Sequence, residues 1–242
     1  MAKQSSIIEM TGNIGKLNFY KDKEGYKVRQ REGVSKERIM GDRKFARTRE
    51  NNAEFANALK AAKLIRGALY PFVNTVCDSR FMQRLSKSMV QTVKSDPVSS
   101  RGNRRVAHGD LSLLEGLRLN GATNLKGLFQ HHYQVRKEGG KLDLHLQSYT
   151  PGQLKVPANT SHFRISLRAI SFDVETDSED KKTASSDFFP VEIPFEGFSM
   201  ELATTDLLHP QKVYVVVVEF YQQLYQEYEP VAKGRWNVGE FV

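Results

Sequence analysis

From Phe55 onward, apolar side chains at Phe55, Ala58, Leu59, Ala62, Ile65 and Leu69 recur every three or four residues, the spacing of one face of an α-helix. Ala53, Ala56, Ala61 and Ala68 surround that stripe with small side chains, which let a neighbouring helix approach closely. Phe55, Leu59, Ala62, Ile65 and Leu69 are the expected packing positions. The same period returns at Met82, Leu85, Met89 and Val93, with Arg80, Arg84, Lys87 and Lys94 on the opposite face. Pro71 suits a first helical turn. The two stripes predict an αα-hairpin joined through residues 70–78. Ser35 offers an N-cap, Gly41 and Asp42 interrupt the pattern, and the main helix is expected to start near Asp42.

Upstream, residues 7–31 read as a hairpin. Segments 16–20 and 26–29 flank Lys21-Asp22-Lys23-Glu24-Gly25, where Asp and Gly supply turn chemistry. Leu17 and Phe19 fall on one face of the first strand, and Tyr26 and Val28 on one face of the second. A lone two-stranded hairpin is marginal in water, so this one is expected to lie on the chain's own helices or on a neighbouring subunit. Gly12-Asn13-Ile14-Gly15-Lys16 lacks the glycine spacing and the Ser/Thr of a phosphate-binding loop and reads as a turn.

Beyond residue 111 the period shifts from helical toward strand-like, after an ambiguous stretch at 111–119. Segments 133–137 and 141–146 predict a hairpin about Gly139-Gly140, with Leu142, Leu144 and Leu146 alternating. Residues 162–176 read as a long strand that places Phe163, Ile165, Leu167 and Ala169 on one face. Segments 189–193 and 212–222 add strands, with 225–231 returning antiparallel. The run 213–218 is apolar on both faces and belongs at a sheet centre. The expected fold class is α+β: an N-terminal β-hairpin plus an α-helical hairpin, then an antiparallel Ig-like β-sandwich. The expected domains are a basic hairpin and helical domain at 1–94, a basic linker at 95–110 and an acidic β-sandwich at 111–242.

Charge sharpens that division. The 242 residues carry 36 Lys and Arg against 28 Asp and Glu, a net +8. Residues 1–110 hold 23 against 11, or +12, which leaves 13 against 17, or −4, for the remainder. A basic half can neutralise phosphates or attract the acidic half of another copy. The candidates for self-association or anion binding are Lys36, Arg38, Arg43, Lys44, Arg47 and Arg49, together with Arg101, Arg104 and Arg105 of the linker. Their acidic counterpart is Asp173, Glu175, Asp177, Glu179 and Asp180, a segment without the glycine and terminal Glu of an EF-hand loop. Phe19, Tyr20, Tyr26 and Phe45 interleave with basic residues, a pattern that suits base stacking as well as local packing.

No apolar run approaches the roughly 20 residues of a membrane span, and residues 1–10 lack the apolar stretch of a secretory signal, so a cytoplasmic chain is expected. Cys77 is the single cysteine, which excludes an intrachain disulfide and a multi-cysteine metal site; it reads as a buried thiol. His131 and His132 would point to opposite faces of a strand, and neither HExxH nor GxSxG occurs. No zinc finger, RNP-like motif or basic region leading into heptads is present. The expectation is a chain without catalytic residues, cofactor or metal, whose partner is another copy of itself, with nucleic acid as the alternative.

The run GNIGKLNFYKDKEGYKVRQREGVSKERI, followed by FARTRENNAEFANALKAAKLIR and later by PANTSHFRI and VEFYQ, resembles a family of Bacteroidota proteins for which no activity is established. The most specific part is ARTRENNAEF, residues 46–55. The resemblance implies a helical N-terminal part followed by an Ig-like β-rich part. The chain departs from it in the last hairpin, where Gln222-Gln223-Leu224-Tyr225-Gln226 stands in place of an Asn-Gly turn.

Overall fold

A computed structural model of the chain describes residues 2–4, 8–30, 33–130 and 132–242 and divides into two compact units, 1–49 and 50–242. Ile7 and Arg31, the ends of the hairpin read from the sequence, and His131 of the paired histidines lie outside the described residues.

The first unit is a four-stranded antiparallel sheet of β1 (Ala2–Lys3), β2 (Gly12–Ile14), β3 (Leu17–Asp22) and β4 (Gly25–Gln30), in the order β1-β4-β3-β2. The expected hairpin is β3 and β4, closed at Lys23-Glu24, with Lys27 Nζ 2.7 Å from carboxylate oxygens of both Asp22 and Glu24. The glycine-rich stretch is the turn between β2 and β3, where Gly15 takes a φ of +54° that glycine adopts without strain. Ser35 caps α1 (Lys36–Gly41), its Oγ accepting from the Arg38 N–H at 3.2 Å. Asp42 does not open the main helix. Its Oδ1 caps a 3₁₀ turn (Arg43–Phe45), and α2 (Ala46–Ala68) starts after that turn.

The second unit holds most of α2, then α3 (Phe72–Thr75), α4 (Phe81–Lys94), 3₁₀ turns at Val106–His108 and Leu111–Leu114, and α5 (Leu125–Phe129). The strands follow: β5 (Tyr133–Glu138), β6 (Lys141–Leu146), β7 (His162–Asp173), β8 (Ser178–Ser185), β9 (Phe189–Pro190), β10 (Phe198–Ala203), β11 (Gln211–Leu224), β12 (Glu227–Pro230) and β13 (Val238–Phe241). The main sheet runs β12-β11-β7-β8, with β13 also on β11 and β9 on β7; a second sheet runs β10-β6-β5. Every pairing is antiparallel, so the chain is α+β.

The apolar run 213–218 lies where both faces of the main sheet are covered. Val213, Val215 and Val217 join Ile170, Phe172 and Phe241 against Ala58, Ala62, Ile65, Leu69, Leu85 and Met89 of the helices. Val216, Val218 and Phe220 join Phe163, Ile165 and Leu167 against Leu142, Leu144, Leu146 and Leu202 of the second sheet. The order is helices, main sheet, second sheet. Helices and strands, read from the sequence as separate domains, therefore share one core, and the boundary between compact units falls at 49/50 rather than in residues 95–110.

The packing stripe of α2 is rotated from its expected position. Ala62, Ile65 and Leu69 are buried as expected, but Leu59 is half-buried and Phe55 is 50% exposed, while Ala58, Ala61 and Ala68 are fully buried. The small side chains Ala58, Ala61, Ala62 and Ala68 lie in the cluster shared by helices and main sheet. In α4, Phe81 takes the buried place expected of Met82, and Leu85, Met89 and Val93 are buried as expected. Strand β8 went unread because its sequence, SEDKKTAS, offers no apolar alternation; it is an edge strand held by β7.

A buried arginine crosses the interface between helices and sheet. Arg168, in the middle of β7, is 4% exposed. Its Nη1 donates to the backbone carbonyls of Ala68 and, at 3.1 Å, Tyr70, and its guanidinium lies 4.8 Å from the Phe72 ring centroid. The last carbonyls of a helix have no partner within the helix, and a cation there complements the helix dipole. Arg168 supplies both and fixes where α2 ends. Replacing it with Met, which keeps the volume and removes the donors, is expected to lower stability by about 2–3 kcal/mol, and urea unfolding checks this.

Candidate functional site

The first unit carries 13 Lys and Arg against 6 Asp and Glu, a net +7, which leaves 23 against 22, or +1, for the second unit. Almost all of the excess charge therefore sits on 49 residues. Cross-strand register sorts their side chains. Ile14 pairs Leu17, Phe19 pairs Val28, and Lys21 pairs Tyr26, so an apolar band of Ile14, Leu17, Phe19, Val28 and Tyr26 occupies one face. Asn13, Asn18, Lys27 and Arg29 occupy the other. Ile14 and Leu17 are 59% and 43% exposed, Phe19, Val28 and Tyr26 are half-buried, and no described residue of 1–49 is buried. Among the described residues strand β2 pairs only with β3.

Six of the basic residues singled out from the sequence belong to this unit. Lys36, Arg43, Lys44 and Arg47 are exposed and make no ion pair among the described residues. Arg38 lies 3.5 Å from Asp42 and over the Phe45 ring. Arg49 is different: half-buried, it donates from Nη1 to the carbonyls of Ile39 and Asp42, at 2.7 and 3.0 Å, and is a structural tie at the turn.

The other three basic candidates are held within the second unit. Residues 95–110 form a bracket over α2 and α4. The buried Asp96 carboxylate accepts from the backbone N–H groups of Val98, Ser99 and Arg105 at 2.8, 3.1 and 2.9 Å. Glu54 accepts from the Gly102 N–H at 2.7 Å and Asn57 from the Val106 N–H at 2.9 Å. Arg101 pairs with Glu50 at 3.3 Å, Arg105 pairs with Glu175 at 3.3 Å, and Arg104 is half-buried. Burial alone would raise the Asp96 pKa, but the three N–H donors outweigh it and hold the carboxyl well below the usual range.

The acidic candidates are likewise partly engaged. Asp173 Oδ1 accepts from the Glu175 N–H at 2.8 Å, and Lys60 of α2 reaches Asp177 at 3.7 Å and the Val174 carbonyl at 2.5 Å. Asp180 Oδ1 accepts from the Lys181 N–H at 2.8 Å, and Glu179 is exposed. The segment is a turn between β7 and β8 and the start of β8, clamped onto the helical layer. A larger acidic region lies further on. Residues 183–232 contain eight Asp and Glu and a single basic residue, Lys212. Of the eight, Asp187, Glu192, Glu196, Glu227 and Glu229 are exposed and make no ion pair among the described residues. Counting charge along the chain would have found this region; the shorter, denser run at 173–180 drew attention away from it.

Two other features bear on chemistry. The outer face of the second sheet curls around a hollow of about 550 Å³ lined by Gln134, Arg136, Asp143, His145, Ser199 and Glu201. Its polar groups answer one another, His145 Nδ1 with Ser199 Oγ at 2.8 Å and Glu201 with Lys141 at 2.6 Å, as on a solvated sheet face. Cys77 is half-buried, and desolvation first, with the Asp78 charge adding, pushes its thiol up to about 12, the state of an unreactive thiol. Among the described residues no group of three or more His, Cys, Asp or Glu comes together as a metal site, and no helix is long and apolar enough to cross a membrane.

No protein family, curated protein or solved structure matches the chain. The Asp96 bracket carries a pH prediction. A carboxyl with a depressed folded-state pKa contributes stability above its unfolded pKa and loses it as pH falls through the folded value. Asp96→Asn is expected to cost about 1–2 kcal/mol at neutral pH, and thermal melts should show the gap to the native chain closing as pH is taken below about 4.

Proposed function

We propose that this chain is a non-enzymatic structural protein that self-associates, the basic first unit of one copy docking on the acidic β surface of another. The observation that carries the proposal is that no described residue of 1–49 is buried, although the sheet there has an apolar face. A unit of about 50 residues buries little surface of its own and is marginal, and a partner covering its apolar face would add to that burial.

Charge supports the choice of partner surface. Pairing two first units would set +7 against +7; docking on exposed Asp187, Glu192, Glu196, Glu227 and Glu229 sets opposite charges together. Exposed Ile193 and Leu224 stand in the same acidic stretch and offer apolar area. Such a contact is heterologous, and heterologous contacts build rings or filaments. The two antiparallel sheets facing each other across one core support an Ig-like reading of the β-rich part, and the resemblance through residues 46–55 suggests a Bacteroidota origin. A cytoplasmic setting, inside a particle or filament, completes the proposal.

A second reading, nucleic-acid binding, is favoured by one observation: Lys36, Arg43, Lys44 and Arg47 are exposed and free of ion pairs among the described residues. Light scattering during size exclusion separates the two. Self-association is expected to grow with concentration, weaken with salt and be lost in Leu17→Asp, whereas a monomer at every concentration and ionic strength would overturn the proposal. Retention of mixed DNA or RNA that falls steeply with salt would establish the second reading.

A further inference from the structure

The segment between β12 and β13 has a conformation that its connecting role does not require. Ala232 and Lys233 both lie in the left-handed region, at φ 48° and 54°, and Gly234 follows at φ 79°. A non-glycine residue there is strained and persists only where the surroundings impose it. The surroundings here are built to impose it. A Cβ on Gly234 would meet the Thr75 carbonyl oxygen at 2.2 Å, so only glycine fits. The Asn237 N–H donates to the Gly234 carbonyl at 3.0 Å, and the Asn237 side chain donates to Thr75 O at 3.0 Å and accepts from the Phe220 N–H at 3.0 Å. Asn120 Nδ2 donates to the carbonyls of Arg235 and Asn237 at 2.9 and 3.2 Å.

This held turn presents Lys233, Arg235 and Trp236, the only tryptophan of the chain, to a pair of adjoining cavities. One, of about 500 Å³, has an apolar lining that includes Leu128, Val156, Pro157, Phe220, Val238 and Trp236, with Lys155 and Asn124 beside it. The other, of about 380 Å³, takes in Lys233 and Arg235. Trp236 and Ala122 line both. Trp236 is 43% exposed with the Arg235 guanidinium 5.4 Å from its ring centroid, and Lys155, Lys233 and Arg235 make no ion pair among the described residues. An apolar slot with an aromatic wall accepts a planar ring, and unpaired cations beside it accept an anion. The volume is that of a small-molecule site.

We propose that this pair of cavities binds a mononucleotide, its base stacked on Trp236 in the apolar slot and its phosphate held by Lys233 and Arg235 in the adjoining cavity. Asn124, whose Oδ1 is taken by the Gly127 N–H at 2.6 Å, keeps its amide N–H groups for the edge of the base. The proposal does not rest on self-association.

Because Trp236 is the only tryptophan, its emission reports on the slot without interference. Full-length protein titrated with AMP is expected to show a saturable change in that emission. Adenosine and inorganic phosphate alone, each offering half of the recognition, should bind about tenfold more weakly or worse. By calorimetry Trp236→Ala, Arg235→Ala and Lys233→Ala should each weaken AMP about tenfold, with unchanged melting temperatures because all three side chains are exposed. No saturable signal or heat up to millimolar AMP would overturn the proposal. So would equal AMP affinity in the three variants, or an aromatic carboxylate such as indole-3-acetate binding as tightly as AMP.

Discussion

Everything in the second unit depends on a pair of strands that must be covered on both sides. β7 and β11 pair along most of their length, and the apolar run in β11 gives neither face to water. Helices close one face and the second sheet closes the other. Where the helical layer meets the sheet, Ala58 and Ala62 of α2 pack with Ile65, Leu69, Leu85 and Met89 in one apolar cluster. Arg168 then fixes the end of that helix by satisfying carbonyls that would otherwise be buried without a partner. The 95–110 bracket does the same for the outer side of α2 through Glu54 and Asn57, two polar residues buried for that purpose.

Much of this was legible in the sequence, for reasons that can be named. Period 3.6 located α2 and α4, and Gly139-Gly140 located the turn of the β5–β6 hairpin. The two-sided apolar character of 213–218 foretold a central strand. What stayed hidden was set by tertiary contact. Phe55 fits a helical stripe as well as Ala58 does, and only the packed core distinguishes the buried Ala58 from the exposed Phe55. The residues 95–110 have the composition of a linker, yet Asp96 and the backbone around it fold them against the helices. The polar strand β8 has no pattern of its own and takes its conformation from β7. The Trp236 turn was equally silent, because left-handed backbone at Ala232 and Lys233 is imposed by Thr75, Asn120 and Asn237 from distant parts of the chain.

The two units differ in kind. The second has a continuous apolar interior and nearly balanced charge; the first has strands, turns and caps in good order but no described residue out of reach of solvent. Local chemistry specifies its hairpins, and in the proposed assembly a partner covers their apolar face. In the proposed assembly its concentration of positive charge opposes pairing with its own kind and favours the carboxylates that crowd residues 183–232. Many of the charges in the 95–110 and 173–180 segments are engaged within one chain, through Arg101, Arg105 and Lys60, and so contribute to the fold first.

The most direct measurement is hydrogen exchange of the β3 and β4 amides in full-length protein, from high dilution to high concentration. If another copy completes the first unit, protection of residues 17–30 rises with concentration, while β7 and β11 stay protected throughout. Strong protection of β3 and β4 that is already complete at high dilution would contradict it, since the first unit would then be stable without a partner.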